Sequence, residues 1–227
     1  MSESSRVGAS SRQRERPGLG TKAGWERHDE VERTTFYRKS SSPDAVASFY
    51  YNDEAGAKAM ADLLGGGSRR GGLFDVAGDR LRVGLDSGYN DICPRLDTGT
   101  RQIVMGRPGQ TYSIRIENRS SQRVEVVVSV DGLNVLTGTA AAPTQSGYVI
   151  APRGLALISG FRVSDSRVRS FEFSSVAASE AAARGQARNV GVVGIAVFEE
   201  DEAKKKMKLR EEQFHREDAS AFPVESR

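Results

Sequence analysis

General acid–base and nucleophilic chemistry draw on histidine, cysteine and carboxylates held close together. In this chain of 227 residues the two histidines, His28 and His215, stand near opposite ends. The single cysteine, Cys93, precedes a proline in a loop-like stretch. A Ser-His-Asp or Cys-His arrangement would need one of those ends to fold back onto the centre. Residues 100–198 hold six acids, Glu117, Glu125, Asp131, Asp165, Glu172 and Glu180, mostly at outward or turn positions. Transition-metal sites recruit several Cys or His ligands, and the sequence has no such set. Asp131 with Asn134, and Asp86 with Asn90 and Asp91, lack EF-hand spacing, so turn chemistry accounts for them. The glycine-rich run at 65–72 lacks the Gly-Lys-Ser/Thr ending of a phosphate loop. The expectation is a non-enzymatic chain with no metal and no cofactor.

Binding chemistry is better represented. Between Lys58 and Lys204 every basic residue is arginine. Arg115, Arg119, Arg123, Arg162, Arg167 and Arg169 fall on or beside expected strands, where they could follow a phosphate backbone. Single-strand binders add aromatics to the same surface, whereas Tyr112, Phe161, Phe171 and Phe173 are expected to face inward. A planar guanidinium also suits carboxylates at protein interfaces. Trp25 and the pair Phe36-Tyr37 stand in polar surroundings and could dock on a partner. The candidate partner-binding residues are therefore Trp25, Phe36, Tyr37, Arg115, Arg119, Asp131, Asn134 and Arg162.

The elements that must position these residues are read from periodicity. Tyr112, Ile114 and Ile116 alternate with Ser113, Arg115 and Glu117. After a short polar loop come Val124, Val126, Val128 and Val130. Two such runs predict an antiparallel hairpin with one buried face and one partly wet. Asp131-Gly132 is a turn signal. Further short strands are expected at 134–137, 147–150, 155–163, with Gly160 marking a bulge or close approach, and 168–173. Residues 190–198 are apolar on both faces and predict a central strand covered above and below. Six or seven short strands with turn signals about every ten residues indicate an all-β fold, an antiparallel β-sandwich of jelly-roll or Ig-like type.

Outside that centre the pattern differs. Residues 1–42 are rich in Ser, Arg, Gly and Glu, cannot bury enough apolar area to offset ordering entropy, and read as a disordered arm. Residues 43–64 read as an amphipathic helical segment carrying Val46, Phe49, Tyr50, Ala57, Met60, Ala61 and Leu64 on one stripe. Residues 65–72 read as a flexible linker, and residues 73–199 as the β-sandwich domain. Residues 200–227 form a charged helical tail with acid-before-base pairs at i,i+4: Glu200–Lys204, Asp201–Lys205, Glu202–Lys206 and Glu212–Arg216. The net charge of +3 is too small for a strongly cationic binder. No apolar run approaches a membrane span and no secretory signal is recognisable, so a cytoplasmic or intracellular chain is expected. A lone cysteine excludes an intramolecular disulfide framework.

The strings Tyr112-Ser113-Ile114-Arg115-Ile116-Glu117-Asn118-Arg119-Ser120, Val128-Ser129-Val130-Asp131-Gly132-Leu133-Asn134-Val135, Gly147-Tyr148-Val149-Ile150, Ile158-Ser159-Gly160-Phe161-Arg162 and Val192-Val193-Gly194-Ile195-Ala196-Val197-Phe198 resemble a set of uncharacterised bacterial β-sandwich-like proteins. The resemblance covers about residues 100–200. It implies a shared module and no catalytic residue. The leading expectation is a structural or protein-interaction module whose arms dock on protein partners or on copies of itself. Binding of nucleic acid or another polyanion through the arginine face and basic arm is the alternative. A carbohydrate-binding module with a pocket at Asp131–Asn134 and residues 139–147 is the second.

Overall fold

The structure is a computed structural model and describes residues 16–217. Side-chain alternation sets its strands, numbered along the chain. One sheet has seven, in the order β1 (Leu19–His28), β14 (Arg167–Ser175), β8 (Thr111–Asn118), β5 (Leu81–Asp86) and β4 (Phe74–Val76). β12 (Leu155–Ile158) joins it beside β8, and β13 (Gly160–Ser164) beside β14. The other has eight: β10 (Leu133–Asn134), β9 (Val124–Val130), β15 (Val192–Glu199), β2 (Ala45–Asn52), β7 (Gln102–Met105), β6 (Arg95–Asp97) and β3 (Ser68–Arg70), with β11 (Tyr148–Ile150) beside β9. β2 and β7 run parallel, whereas their neighbours pair antiparallel.

The sheets enclose a core that draws on both. Leu85, Ile114, Ile116, Phe171 and Phe173 from the first share one cluster with Phe49, Tyr51, Val126, Val128, Ile195 and Val197 from the second. The Tyr112 and Phe173 rings stack with centroids 4.3 Å apart. Period-two burial along β8, with Tyr112, Ile114 and Ile116 inward, makes this an all-β, sandwich-like fold.

The second sheet is also covered on its outer side. Helix α1 (Glu54–Asp62) sets Ala57 and Ala61 over Ile103 and Met105. At the other end Phe36 packs on Val127, Ala196 and Phe198. β15 therefore lies between β2 and β9 with both faces covered, as its apolar composition predicts. Two further helices follow, the short α2 (Glu180–Ala183), capped by the Ser179 hydroxyl, and the long α3 (Glu202–Glu217).

Several expectations are corrected. Residues 111–130 do not form a hairpin, because β8 and β9 belong to different sheets and the 119–123 loop crosses between them. β9 accordingly has little wet face. Within 43–64, β2 replaces the first half of the expected helix: Phe49 and Tyr51 point into the core while Tyr50 is half-buried. The 65–72 linker contains β3, paired with β6. The expected arm loses residues 19–28 to β1, so the sandwich begins well before residue 73. Residues 34–39 of the expected arm pack on the second sheet. Residues 1–15 of the arm and residues 218–227 of the expected tail lie outside the described residues.

Candidate functional site

The turn between β9 and β10 places Asp131 at φ 55° and Gly132 at φ 77°, a left-handed pair that a two-residue hairpin requires. This geometry turns the Asp131 side chain inward, where it is 1% exposed. One carboxylate oxygen accepts from the Tyr51 hydroxyl at 2.6 Å and from the Gly191 amide at 2.8 Å. The other accepts from the Thr21 amide at 2.9 Å. The Thr21 hydroxyl lies 2.8 Å from Tyr51 Oη and 2.6 Å from Tyr112 Oη. Burial holds the Asp131 carboxyl above the usual carboxylate range, with the hydrogen bonds from Tyr51, Gly191 and Thr21 opposing it. Burial, with the charge of Asp131 nearby, pushes the Tyr51 and Tyr112 phenols well above their ordinary value. The knot satisfies polar groups from β1, β2, β8 and the β9–β10 turn inside the buried core. It is a structural tie, and Asp131 cannot touch a partner.

Asn134 is corrected for the same reason. At 1% exposure its side-chain oxygen accepts from the Leu136 and Thr137 amides, and its NH2 donates to Gln145 at 3.0 Å. Gln145 in turn accepts from the Ala142 amide at 2.8 Å. The loops proposed to line a sugar pocket thus close on each other.

The arginines are mostly spoken for. Arg115 donates to Glu117 at 2.9 Å and to Asn90 at 2.6 Å, and lies 3.9 Å from Asp86. Its guanidinium thus faces Asp86 and Asn90, two of the residues weighed against EF-hand spacing. Arg119 lies 3.5 Å from Asp75, and Arg162 lies 2.5 Å from Asp29 with only 7% of its side chain exposed. Arg167 pairs with Glu26 and Arg184 with Glu180. Local neutralisation of this kind weakens a phosphate-tracking face. Among the described residues no group of three or more His, Cys, Asp or Glu could hold a metal ion. Cys93 is buried, and burial pushes its thiol up to about 11.

What remains is a surface built by residues 34–39, which strap the outer face of the second sheet. The Arg38 guanidinium lies 3.7 Å over the Phe198 ring and grips Glu125 with two hydrogen bonds of 2.7 and 3.0 Å. It also donates to the Gln145 carbonyl at 2.6 Å. Arg123 reaches the Thr35 carbonyl at 2.6 Å and Glu200 at 2.5 Å. The Lys39 amide donates to Glu199 O, and the Asp201 amide to Tyr37 O, so the strap pairs with the chain just before α3. Glu200, its side chain fully covered, is held by Arg123 and by Lys205 at 3.0 Å. A groove of about 520 Å³ opens between strap and helix, lined by Thr34, Tyr37, Arg123, Lys205, Leu209 and Glu212 among others.

Beyond its first turn α3 is exposed throughout among the described side chains, with Met207 at 50%, Leu209 at 57% and Phe214 at 67%. Of the four expected i,i+4 pairs, Glu212–Arg216 forms, at 3.0 Å. Lys205 instead reaches Glu200 and Glu202, and Lys208 reaches Glu211. Phe36 is a core contact of the strap rather than a free anchor, and Tyr37 sits under Lys204 with its ring 5.8 Å from the ammonium. Trp25 stands alone at 84% exposure on β1, beside a bulge. The eight candidates therefore do not converge on one site. Arg38, Glu125 and Glu200 are not among the candidates, because the partners that join them lie 77 or more residues away along the chain and leave no local pattern. No helix among the described residues is long and apolar enough to cross a membrane. No family model matches the chain, and no curated protein or solved structure does so either.

Proposed function

We propose that this chain is a non-catalytic β-sandwich module that joins a larger assembly by docking through its projecting helix α3. The observation that carries this reading is an anchored helix left bare: its root is fixed by the strap, Arg123, Glu200 and Lys205, yet Met207 and Phe214 stand half or more exposed. Helices in proteins draw most of their stability from packing, and beyond its first turn α3 is exposed. A rigid root also lowers the entropic cost of binding at the tip. An intracellular address belongs to the same reading, since the buried Cys93 is a free thiol of the sort reducing compartments preserve.

The test is the elution size of the tagged full chain in an extract of its native cells. The chain is expected in a particle larger than one copy, and Met207→Ser with Phe214→Ser is expected to return it to the monomer position. A full chain that elutes as a monomer in that extract overturns the reading.

A further inference from the structure

The residues of α3 select a partner. At about 100° per residue, positions four and three apart share a side of a helix. Lys205, Leu209, Glu212 and Arg216 form the side toward the strap, consistent with the Lys205–Glu200 ion pair and the groove lining. Ala203, Met207, Arg210 and Phe214 fall on the opposite side, at successive steps of four, three and four, which is the spacing of a heptad seam. Each of these side chains is exposed.

The charge along α3 is divided. From Lys204 to Arg210 there are five basic residues and no acid, whereas Glu211 to Glu217 holds three acids and one arginine. Two such helices in parallel register place like charges together, and in antiparallel register place opposite charges together. Setting Met207 of one copy against Phe214 of the other also sets Arg210 against Glu211 and Lys204 against Glu217. A two-fold axis between Arg210 and Glu211 makes every one of these contacts twice. Arg210 lies on the seam and Glu211 at its edge, so this central contact is a flanking ion pair that favours the antiparallel direction.

We propose that α3 pairs antiparallel with α3 of a second copy of this chain. This rests on the docking reading and names its partner. The contact is small, so association in the micromolar range is expected.

Sedimentation equilibrium of the purified full chain tests it. The average mass should rise from one chain toward two between about 1 and 100 μM. Arg210→Glu should hold the chain monomeric, and the swapped pair R210E/E211R should restore the dimer, with helix content by circular dichroism unchanged throughout. In a M207C/F214C variant, oxidation should link position 207 of one chain to 214 of the other. The two positions within one helix lie about 10 Å apart along the axis, too far for a disulfide. A chain monomeric at 100 μM, a dimer indifferent to Arg210→Glu, or a 207-to-207 link overturns the proposal. Monomeric protein that instead binds heparin through Arg210 also overturns it and assigns the face to a polyanion. If the purified chain is monomeric while the extract particle persists and is lost with M207S/F214S, self-pairing falls and the docking reading stands. A monomer in both settings removes both.

Discussion

Asp131→Ala removes the acceptor at the centre of the buried knot. Three donors lose an acceptor at once: the amides of Gly191 and Thr21, and the Tyr51 hydroxyl, which is left with the Thr21 hydroxyl. Leaving a buried donor unsatisfied costs about 1–3 kcal/mol, less than additively when donors share one cavity. Alanine at φ 55° adds about 1 kcal/mol that aspartate and asparagine largely escape. The expected loss is about 4 kcal/mol, a large part of a typical domain's stability. Asp131→Asn keeps the turn and one acceptor, but its NH2 then faces a donor, so a loss of about 1–2 kcal/mol is expected. Tyr51→Phe combined with Asp131→Asn should show a coupling of about 1 kcal/mol in a double-mutant cycle. The carboxyl's raised value sets the pH sign. Between the ordinary carboxylate value, about 3.9, and the raised one, the folded state binds more protons than the unfolded. This contribution to stability therefore falls as pH rises through that window, and is absent from the Asn variant. Urea unfolding followed by far-ultraviolet circular dichroism is the assay, because Trp25 is too exposed to report the core. A D131A protein within 1 kcal/mol of the native one (about the cost of the strained turn alone), or zero coupling to Tyr51, would refute the reasoning.

Arg38→Ala leaves Glu125 uncompensated beneath the strap, at a cost of about 3 kcal/mol; hydrogen exchange should quicken at the Lys39 and Asp201 amides while β15 stays protected. A Cβ at Gly160 would sit 2.0 Å from the Arg169 carbonyl oxygen, so Gly160→Ala must part β13 from β14. A loss of about 3 kcal/mol in the same urea assay is expected, and a neutral result would contradict the close approach. With its thiol pushed up to about 11 and buried, Cys93 should resist a thiol-specific disulfide reagent in the native protein and react in denaturant. Rapid native labelling would contradict that placement.

β8 and β14 are legible because their alternating residues are themselves the core, and β9 and β15 because they are apolar on both or nearly both faces. β2 is misread because Val46, Phe49 and Tyr50 also satisfy a helical stripe; the aromatic run continuing to Tyr51 is the strand signal that was available. β1 carries few apolar residues and is held by backbone pairing to β14 and by Thr21, neither of which leaves a local pattern. Asp131-Gly132 is legible as a turn, but the side chain's inward aim depends on Thr21, Tyr51 and Gly191, which no local window contains. The β8–β9 crossover is illegible for a similar reason: a short polar loop joins strands of one sheet or of two.

The register that sets Leu19 beside Ser175 and Tyr50 beside Val192 has a consequence for biosynthesis. β1 and β2 leave the ribosome well before β14 and β15, the strands that pair with them. Until residue 175 has emerged β1 lacks its partner, and until residue 199 has emerged β2 has β7 alone beside it, with Phe49 and Tyr51 short of their full cover. Loop closure over such separations is slow, and the waiting segments are those a chaperone would hold.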